Sequence, residues 1–408
     1  MKQTKKSNFN FLTWILVIAL ICSSLVPAVA HTQEAIPMQQ EIDLPIEAES
    51  AILVEAHNNQ VLYNKNATEP MHPASLTKIM TLLLAGEALD EEAISWDDRV
   101  TVSLAAYEMD DTGSIMYLDH DDEVTVEELI KGIAIISAND GCVALAEHIA
   151  GSEERFVQLM NERAEELGLE NTNFTNSHGL HDDNQYMSAL DVARLASYFI
   201  RTQPEIAAYQ AEREWTYSDI KQFNRNPLLR DYEGADGIKT GYLSAAGWCL
   251  AATAERDDFR LISVVLNSPT EEDRGIDSQS LLDFGFNNYE LVNWAAEGEE
   301  IDSVPVIRGV EETVPVAPTE DVEVVIPGGQ SEHITKNVIP REEIEAPIEE
   351  GEQLGLLNVY YDDELLLETH VAATQDLERQ GFFAYLWSSI TGFFSGIWQS
   401  IFGSENGD

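Results

Sequence analysis

Pro73-Ala74-Ser75-Leu76-Thr77-Lys78-Ile79-Met80-Thr81 places a serine three residues ahead of a lysine at the head of an apolar run. Ile79, Leu82, Leu83 and Ala85 recur at helical spacing, so Ser75 through Leu89 reads as a mostly buried helix that Ser75 opens. Side chains three apart share one helix face, so Ser75 and Lys78 can touch. A serine hydroxyl attacks poorly until a neighbouring base takes its proton, and a lysine is such a base only when neutral. Burial and nearby positive charge push a lysine that way, with Lys239 the candidate charge. Alone the pair is weak, because a serine after a proline is also an ordinary helix cap.

Two further motifs follow in order, Ser137-Ala138-Asn139 and Lys239-Thr240-Gly241. Ser137 comes after the apolar stretch Ile133 to Ile136 and before Asn139-Asp140-Gly141, which predicts a loop just past a buried helix. A second hydroxyl there can relay a proton to a leaving amine, and the Asn139 amide can hold a peptide carbonyl or the lysine; a plain turn before Gly141 is the bland alternative. Lys239-Thr240-Gly241 starts a stretch that becomes apolar at Trp248 and reads as strand. Gly241 there lets a substrate backbone lie close, and Lys239 with Thr240 can bind a terminal carboxylate through charge-assisted hydrogen bonds. A solvated lysine on an edge strand is the competing reading.

Outward from these motifs, Ala51 to Tyr63 alternates around His57-Asn58-Asn59 as a β-hairpin. Thr125 and Glu128 have capping-box spacing ahead of Leu129, Ile130 and Ile133, which starts a second helix. A third runs from about Glu153 to Leu167 and ends at Gly168; a fourth covers about Leu190 to Arg201 before Pro204. Strands return at Trp248 to Ala254 and Leu261 to Leu266. Strands from both ends with helices between them imply one antiparallel sheet built from chain-distant pieces. Residues from about 295 to 372 are rich in Val, Pro and Glu, with alternating runs at Val322 to Ile326 and Leu356 to Tyr361 and a turn at Asp362-Asp363, the pattern of a small all-β domain.

The chain carries 73 acidic residues against 23 basic ones, a formal net charge of −50, which excludes nucleic acid as a partner. Lys2, Lys5 and Lys6 precede an apolar run from Phe11 to Val26 and then Ala28-Val29-Ala30, which reads as a secretory signal cleaved after Ala30. Cys22 leaves with it; Cys142 and Cys249, flanked by apolar or small residues, read as buried free thiols, with a single bridge between them the open alternative. At the other end Phe382, Phe383, Leu386, Trp387, Ile390, Phe393, Phe394, Ile397, Trp398 and Ile401 share one helix face opposite a hydroxyl-rich one, which predicts an amphipathic helix lying in a membrane interface.

The three motifs together, in this order, resemble the active-site serine penicillin-recognising group, and the chain from about 46 to 375 resembles its low-molecular-mass members, the D-alanyl-D-alanine carboxypeptidases. Ser137-Ala138-Asn139-Asp140-Gly141-Cys142, Ser177-His178-Gly179-Leu180, Asp236-Gly237-Ile238-Lys239-Thr240-Gly241 and Leu281-Leu282-Asp283-Phe284-Gly285-Phe286 carry the likeness along with the opening stretch. The resemblance implies Ser75 as acylated nucleophile, Lys78 as base and Ser137 as proton relay. It implies substrate binding by Lys239, beside the binding read above for Asn139, Thr240 and Gly241, and an oxyanion hole from the amides of Ser75 and Tyr242. Arg274, just before the closing helix, would bind the substrate carboxylate, with Arg225 a weaker candidate. The substrates implied are peptidoglycan stem peptides ending in D-Ala-D-Ala, with β-lactams as covalent ligands and no cofactor or metal.

The fold expected is α+β: a penicillin-binding/β-lactamase-like transpeptidase domain at 46–290, after a signal peptide (1–30) and linker (31–45). A small β-rich domain at 291–375 and an amphipathic anchor helix at 380–402 follow. The enzyme is expected outside the cytoplasmic membrane, held peripherally on its outer face. A class A β-lactamase is disfavoured because no Glu with Leu-Asn at the expected spacing lies between the second and third motifs. A metallopeptidase is disfavoured because no His-Glu-x-x-His occurs and His178 and His181 lack carboxylates at a set spacing, which leaves them as loop residues. Endopeptidase action on cross-bridges uses the same chemistry and stays open, and a non-catalytic β-lactam sensor or wall-binding adaptor is the alternative from another class.

Overall fold

The structure is a computed structural model and describes residues 44–109 and 113–381. The expected signal segment, most of the expected linker and nearly all of the expected amphipathic helix lie outside those residues.

Five strands form one antiparallel sheet: β1 (Ser50–Glu55), β2 (Val61–Lys65), β3 (Ala235–Leu243), β4 (Gly247–Arg256) and β5 (Phe259–Ser268), in the order β2-β1-β5-β4-β3. The expected hairpin is β1–β2, and segments about 210 residues apart meet where β1 pairs with β5. Period-two alternation sorts the side chains: Ile52, Val54, Ile262 and Val264 join the core of the helical lobe, while Ala51, Leu53, Leu261 and Val265 join a second core on the opposite face.

The lobe contains α1 (Lys78–Asp90), α2 (Val126–Ile136), α3 (Asn139–Ala150), α4 (Glu153–Glu166) and α5 (Ala189–Thr202). Thr125 and Glu128 complete the reciprocal capping box at the start of α2. Asn139-Asp140-Gly141 is the first turn of α3 and not a loop, so one residue separates its N-cap Ala138 from α2. Gly141 is there for packing, since a Cβ would stand 3.3 Å from the Met116 sulfur. A further hairpin, Glu214–Tyr217 with Ile220–Phe223, turns through Ser218 and Asp219, both at positive φ.

The last α-helix among the described residues, α6 (Glu271–Asn288), places Leu281 and Leu282 in the second core. Thr270 caps it and Glu271, Glu272 and Asp273 complement its dipole, so it begins before Arg274, and the arginine lies in its first turn. Beyond it come β6 (Tyr289–Ala295), β7 (Asp302–Pro305), β8 (Thr313–Pro318), β9 (Val322–Pro327), β10 (Ile334–Pro340), β11 (Gln353–Tyr361) and β12 (Glu364–Ala373). They form an all-β unit with a core of its own, in which β6 pairs with β9 and five strands order as β7-β8-β12-β11-β10. The β1–β2 turn reaches it: the Gln60 side-chain amide donates to Val325 O (2.7 Å) and accepts from Val325 N (3.1 Å).

Candidate active site

Ser75 stands in a 3-10 turn, Ala74–Thr77, immediately ahead of α1. The residue before it, Ala74, is buried with φ 48°, a left-handed conformation that costs a non-glycine residue ~1–2 kcal/mol. Two glycines let neighbouring chain close on this turn. A Cβ on Gly179 (φ +88°) would stand 2.0 Å from the Ala74 carbonyl oxygen, and one on Gly241 would stand 3.0 Å from Pro73 O and 3.2 Å from Ser75 N. Gly241 thus brings the free edge of β3 against the turn that carries Ser75.

Lys78 is wholly buried, and its Nζ lies 3.0 Å from Ser75 Oγ, 2.8 Å from Asn139 Oδ1 and 2.5 Å from His178 O. The last two oxygens can only accept, so a neutral amine must spend its two N–H bonds on them and turn its lone pair to the serine hydroxyl. Burial pulls the Lys78 pKa down to about 8, and the Arg225 guanidinium adds to the fall. Lys239 is buried too, and its own pKa is pushed well down by burial and then by the Lys78 charge. One of two facing lysines gives up its proton most readily, and an arriving carboxylate would restore charge on Lys239. Lys239 Nζ has one hydrogen bond among the described residues, to Thr240 O at 3.2 Å.

Ser137 ends α2 in the left-handed region (φ 67°), and its buried Oγ has no protein partner. A non-glycine residue held in this conformation stores strain of the kind that collects at functional sites. Asn139 follows at the start of α3 and its backbone N donates to Ser114 O (2.7 Å). The neighbouring Asp140 carboxylate accepts from Met116 N, Leu118 N and Gly141 N, which pins the loop from Ser114 to Leu118 beside the motif.

Arg274 is 1% exposed and not the surface arginine its acidic neighbours suggest. It donates to Gly241 O (3.4 Å), Arg225 O (3.2 Å) and Glu271 Oε1 (2.9 Å). Thr240 is buried on β3, while Tyr242 is 49% exposed on the same strand. The three motifs and Arg274 therefore meet along one edge of the sheet. Among the described residues no three His, Cys, Asp or Glu side chains are arranged to hold a metal.

A family model described as D-alanyl-D-alanine carboxypeptidase matches residues 35–270. The chain belongs to the D-alanyl-D-alanine carboxypeptidase family. Its members are serine hydrolases, and a second model, the C-terminal domain of penicillin-binding protein 5, matches residues 289–379. The D-alanyl-D-alanine carboxypeptidase DacF of Bacillus subtilis is 37% identical over 383 residues, 91% of this chain and 95% of that one. Penicillin-binding protein 5 from Haemophilus influenzae superposes with a TM-score of 0.78 at 35% identity, over 83% of this chain and all of the other. Penicillin-binding protein D2 from Listeria monocytogenes, solved in an ampicillin-bound form, gives 0.55 at 31% identity over 60% of this chain and all of that one.

For this carboxypeptidase family member, the parts played by His178 and Glu153 escaped sequence reasoning, and Arg225 acts otherwise than expected. His178 is no mere loop residue: its carbonyl holds Lys78, and burial, with the Lys78 charge, lowers its imidazole pKa to about 3, so the ring is neutral. Glu153, at the start of α4, accepts from Ser177 N and Oγ and fixes that loop. Arg225 adds positive charge acting on Lys78, beside the repulsion between Lys78 and Lys239 that depresses the Lys239 pKa. The quoted Ser177-His178-Gly179-Leu180 stretch was the available signal for the first. Cys142 and Cys249 are buried free thiols.

Proposed function

We propose that this D-alanyl-D-alanine carboxypeptidase releases the last D-alanine of peptidoglycan stem peptides through an acyl-enzyme on Ser75. Lys78 takes the Ser75 proton as Oγ attacks the penultimate D-alanine carbonyl carbon, and the Ser75 and Tyr242 amides receive the oxyanion. Ser137 passes a proton to the leaving nitrogen, the C–N bond breaks, and free D-alanine departs. Water then hydrolyses the ester to restore Ser75 and a shortened peptide carboxylate. Lys239, Thr240 and Arg274 bind the terminal carboxylate, and Asn139 orients Lys78 and the substrate amide. The observation that carries this reading is Lys78 Nζ at 3.0 Å from Ser75 Oγ with its other hydrogen bonds on two carbonyl oxygens.

Incubation with a D-Ala-D-Ala peptide should yield free D-alanine, and labelled penicillin should attach to Ser75. Ser75→Ala should lose both, and a label mapped to another serine would overturn the assignment. Export and peripheral attachment outside the cytoplasmic membrane complete the proposal, on the strength of the N-terminal signal pattern and the C-terminal amphipathic pattern. Among the described residues no helix is long and apolar enough to cross a membrane. Truncation before Gln380 should release a penicillin-binding protein from vesicles that hold the full chain at high salt.

A further inference from the structure

His178 and Gly179 share one peptide unit, and both of its polar groups are held. The His178 carbonyl accepts from Lys78 Nζ (2.5 Å), while the Gly179 N–H donates to Asn176 Oδ1 (2.6 Å). The angle at which that carbonyl meets the lysine therefore follows the Asn176 side chain. Asn176 Oδ1 accepts a second hydrogen bond, from Gln185 Nε2 (3.3 Å).

Gln185 is 2% exposed, and its amide is fully engaged at both ends. Oε1 accepts from Thr175 N (3.0 Å), Thr175 Oγ1 (2.9 Å) and Asn176 N (3.1 Å). Two backbone N–H groups converge on that atom, so it is the amide oxygen, and the nitrogen faces the other way. There Nε2 donates its two hydrogens to Asn176 Oδ1 and to Thr77 Oγ1 (3.0 Å). Thr77 Oγ1 in turn donates to Ala74 O (2.9 Å), across the 3-10 turn that carries Ser75. Gly179 lies against the same turn, where a Cβ would stand 3.0 Å from Thr77 Oγ1. Backbone pairing of Tyr186 with Asn173, and of Met187 with Met71, fixes the chain on the C-terminal side of Gln185. One buried amide thus reaches both members of the catalytic pair, the nucleophile through Thr77 and Ala74 and the base through Asn176 and the His178–Gly179 peptide.

We propose that Gln185 is a positioning residue for acylation, bracing the Ser75 turn and the His178–Gly179 peptide together so that Lys78 Nζ keeps its lone pair on Ser75 Oγ. This rests on the Ser75 reading above and deepens it. Gln185 itself touches no reacting atom. Without its two donors the Asn176 side chain and the Thr77 hydroxyl lose their common anchor, and the acceptor that orients Lys78 shifts relative to the serine. The cost falls on the attack of Ser75 Oγ, because the carboxylate is bound elsewhere, by Lys239, Thr240 and Arg274.

The test compares the purified wild-type chain with Gln185→Met, which keeps the length without polar atoms, and Gln185→Glu, which keeps the shape. A carboxyl group carries at most one hydrogen, so Gln185→Glu loses at least one of the two donor bonds at any pH. The rate at which labelled penicillin acylates Ser75 is followed against penicillin concentration, with a thermal melt of each preparation. Gln185→Met should lower the limiting rate by about tenfold or more, the scale expected for displaced reacting groups, with the half-saturating concentration little changed. Gln185→Glu should be slowed in the same way, and it carries the test if Gln185→Met fails to fold. Thr77→Val removes the hydroxyl that relays one branch, so adding it to Gln185→Met should slow acylation by less than the product of the two single effects. A folded Gln185→Met or Gln185→Glu labelled at the wild-type rate would overturn the proposal, as would slowing that appears only as a raised half-saturating concentration or effects that multiply fully. If the wild type itself is not labelled at Ser75, the Ser75 reading fails first and takes the inference with it.

Discussion

The Arg274 guanidinium lies over the indole of Trp248, its central carbon 4.9 Å from the ring centroid. Tyr242 packs on the same indole with centroids 4.1 Å apart, and Tyr242 and Trp248 face one another across β3 and β4. Arg274 Nε is buried with no acceptor, so the ring face is its compensation on that side. A desolvated cation–π contact is worth ~2 kcal/mol. Sheet pairing thereby sets the position of a guanidinium that belongs to a helix.

Replacing the indole without changing the fold should weaken carboxylate binding. Trp248→Leu should raise KM for a D-Ala-D-Ala peptide by about tenfold or more with a smaller change in kcat, whereas Trp248→Phe should retain most of the affinity. A substrate analogue ending in an amide should not distinguish the variants. A loss of kcat with unchanged KM would contradict this role.

The pH profile follows from Lys78. Its folded pKa is near 8, so the neutral, proton-accepting form falls about tenfold for each pH unit below that value and saturates above it. Ser75 acylation by labelled penicillin should climb with pH and level off above about 8. Arg225→Gln removes a positive charge that lowers this pKa, so the midpoint should move upward; a midpoint that stays in place would remove Arg225 from the account.

Ser137 is a case of opposed effects at one residue. Glycine adopts its left-handed backbone freely, so Ser137→Gly should stabilise the fold by about 1 kcal/mol while the lost hydroxyl slows D-alanine release by about a hundredfold. Thermal melts and turnover on the same preparation measure both. A less stable variant would show that the φ of 67° is not strained.

The two lysines should respond differently to arginine. Lys78→Arg should abolish acylation, because a guanidinium cannot yield its proton and the space among three acceptors is fully enclosed. Lys239→Arg should acylate more slowly and require more substrate. Complete loss in both would dissolve the division of roles.

What could be read from the sequence was what short-range chemistry determines. The Thr125–Glu128 capping box and the β1–β2 hairpin need only residues close in the chain. The start of α3 was hidden because Asn139-Asp140-Gly141 has the composition of a turn, and part of the crowding at the glycine comes from the distant Met116 sulfur. The Ser218-Asp219 hairpin lacks the Asn-Gly or Asp-Gly pair that announces such turns. In the site, motif spacing was enough to predict that Ser75 and Lys78 touch. The His178 carbonyl that holds Lys78 comes from 100 residues away, and the Arg225 carbonyl that holds Arg274 from 49, as backbone atoms that no side-chain pattern encodes.

Gln60 has an effect out of proportion to its size. Its amide clasps both backbone groups of Val325, so thermal opening of the outer β-unit must first unfasten the turn of β1–β2. Since β1 is hydrogen-bonded along its length to β5 in the middle of the five-stranded sheet, that unfastening loosens the sheet itself. The latch ties the two halves into one cooperative melting unit, and calorimetry of the chain should record a single endotherm where two independent halves would give two.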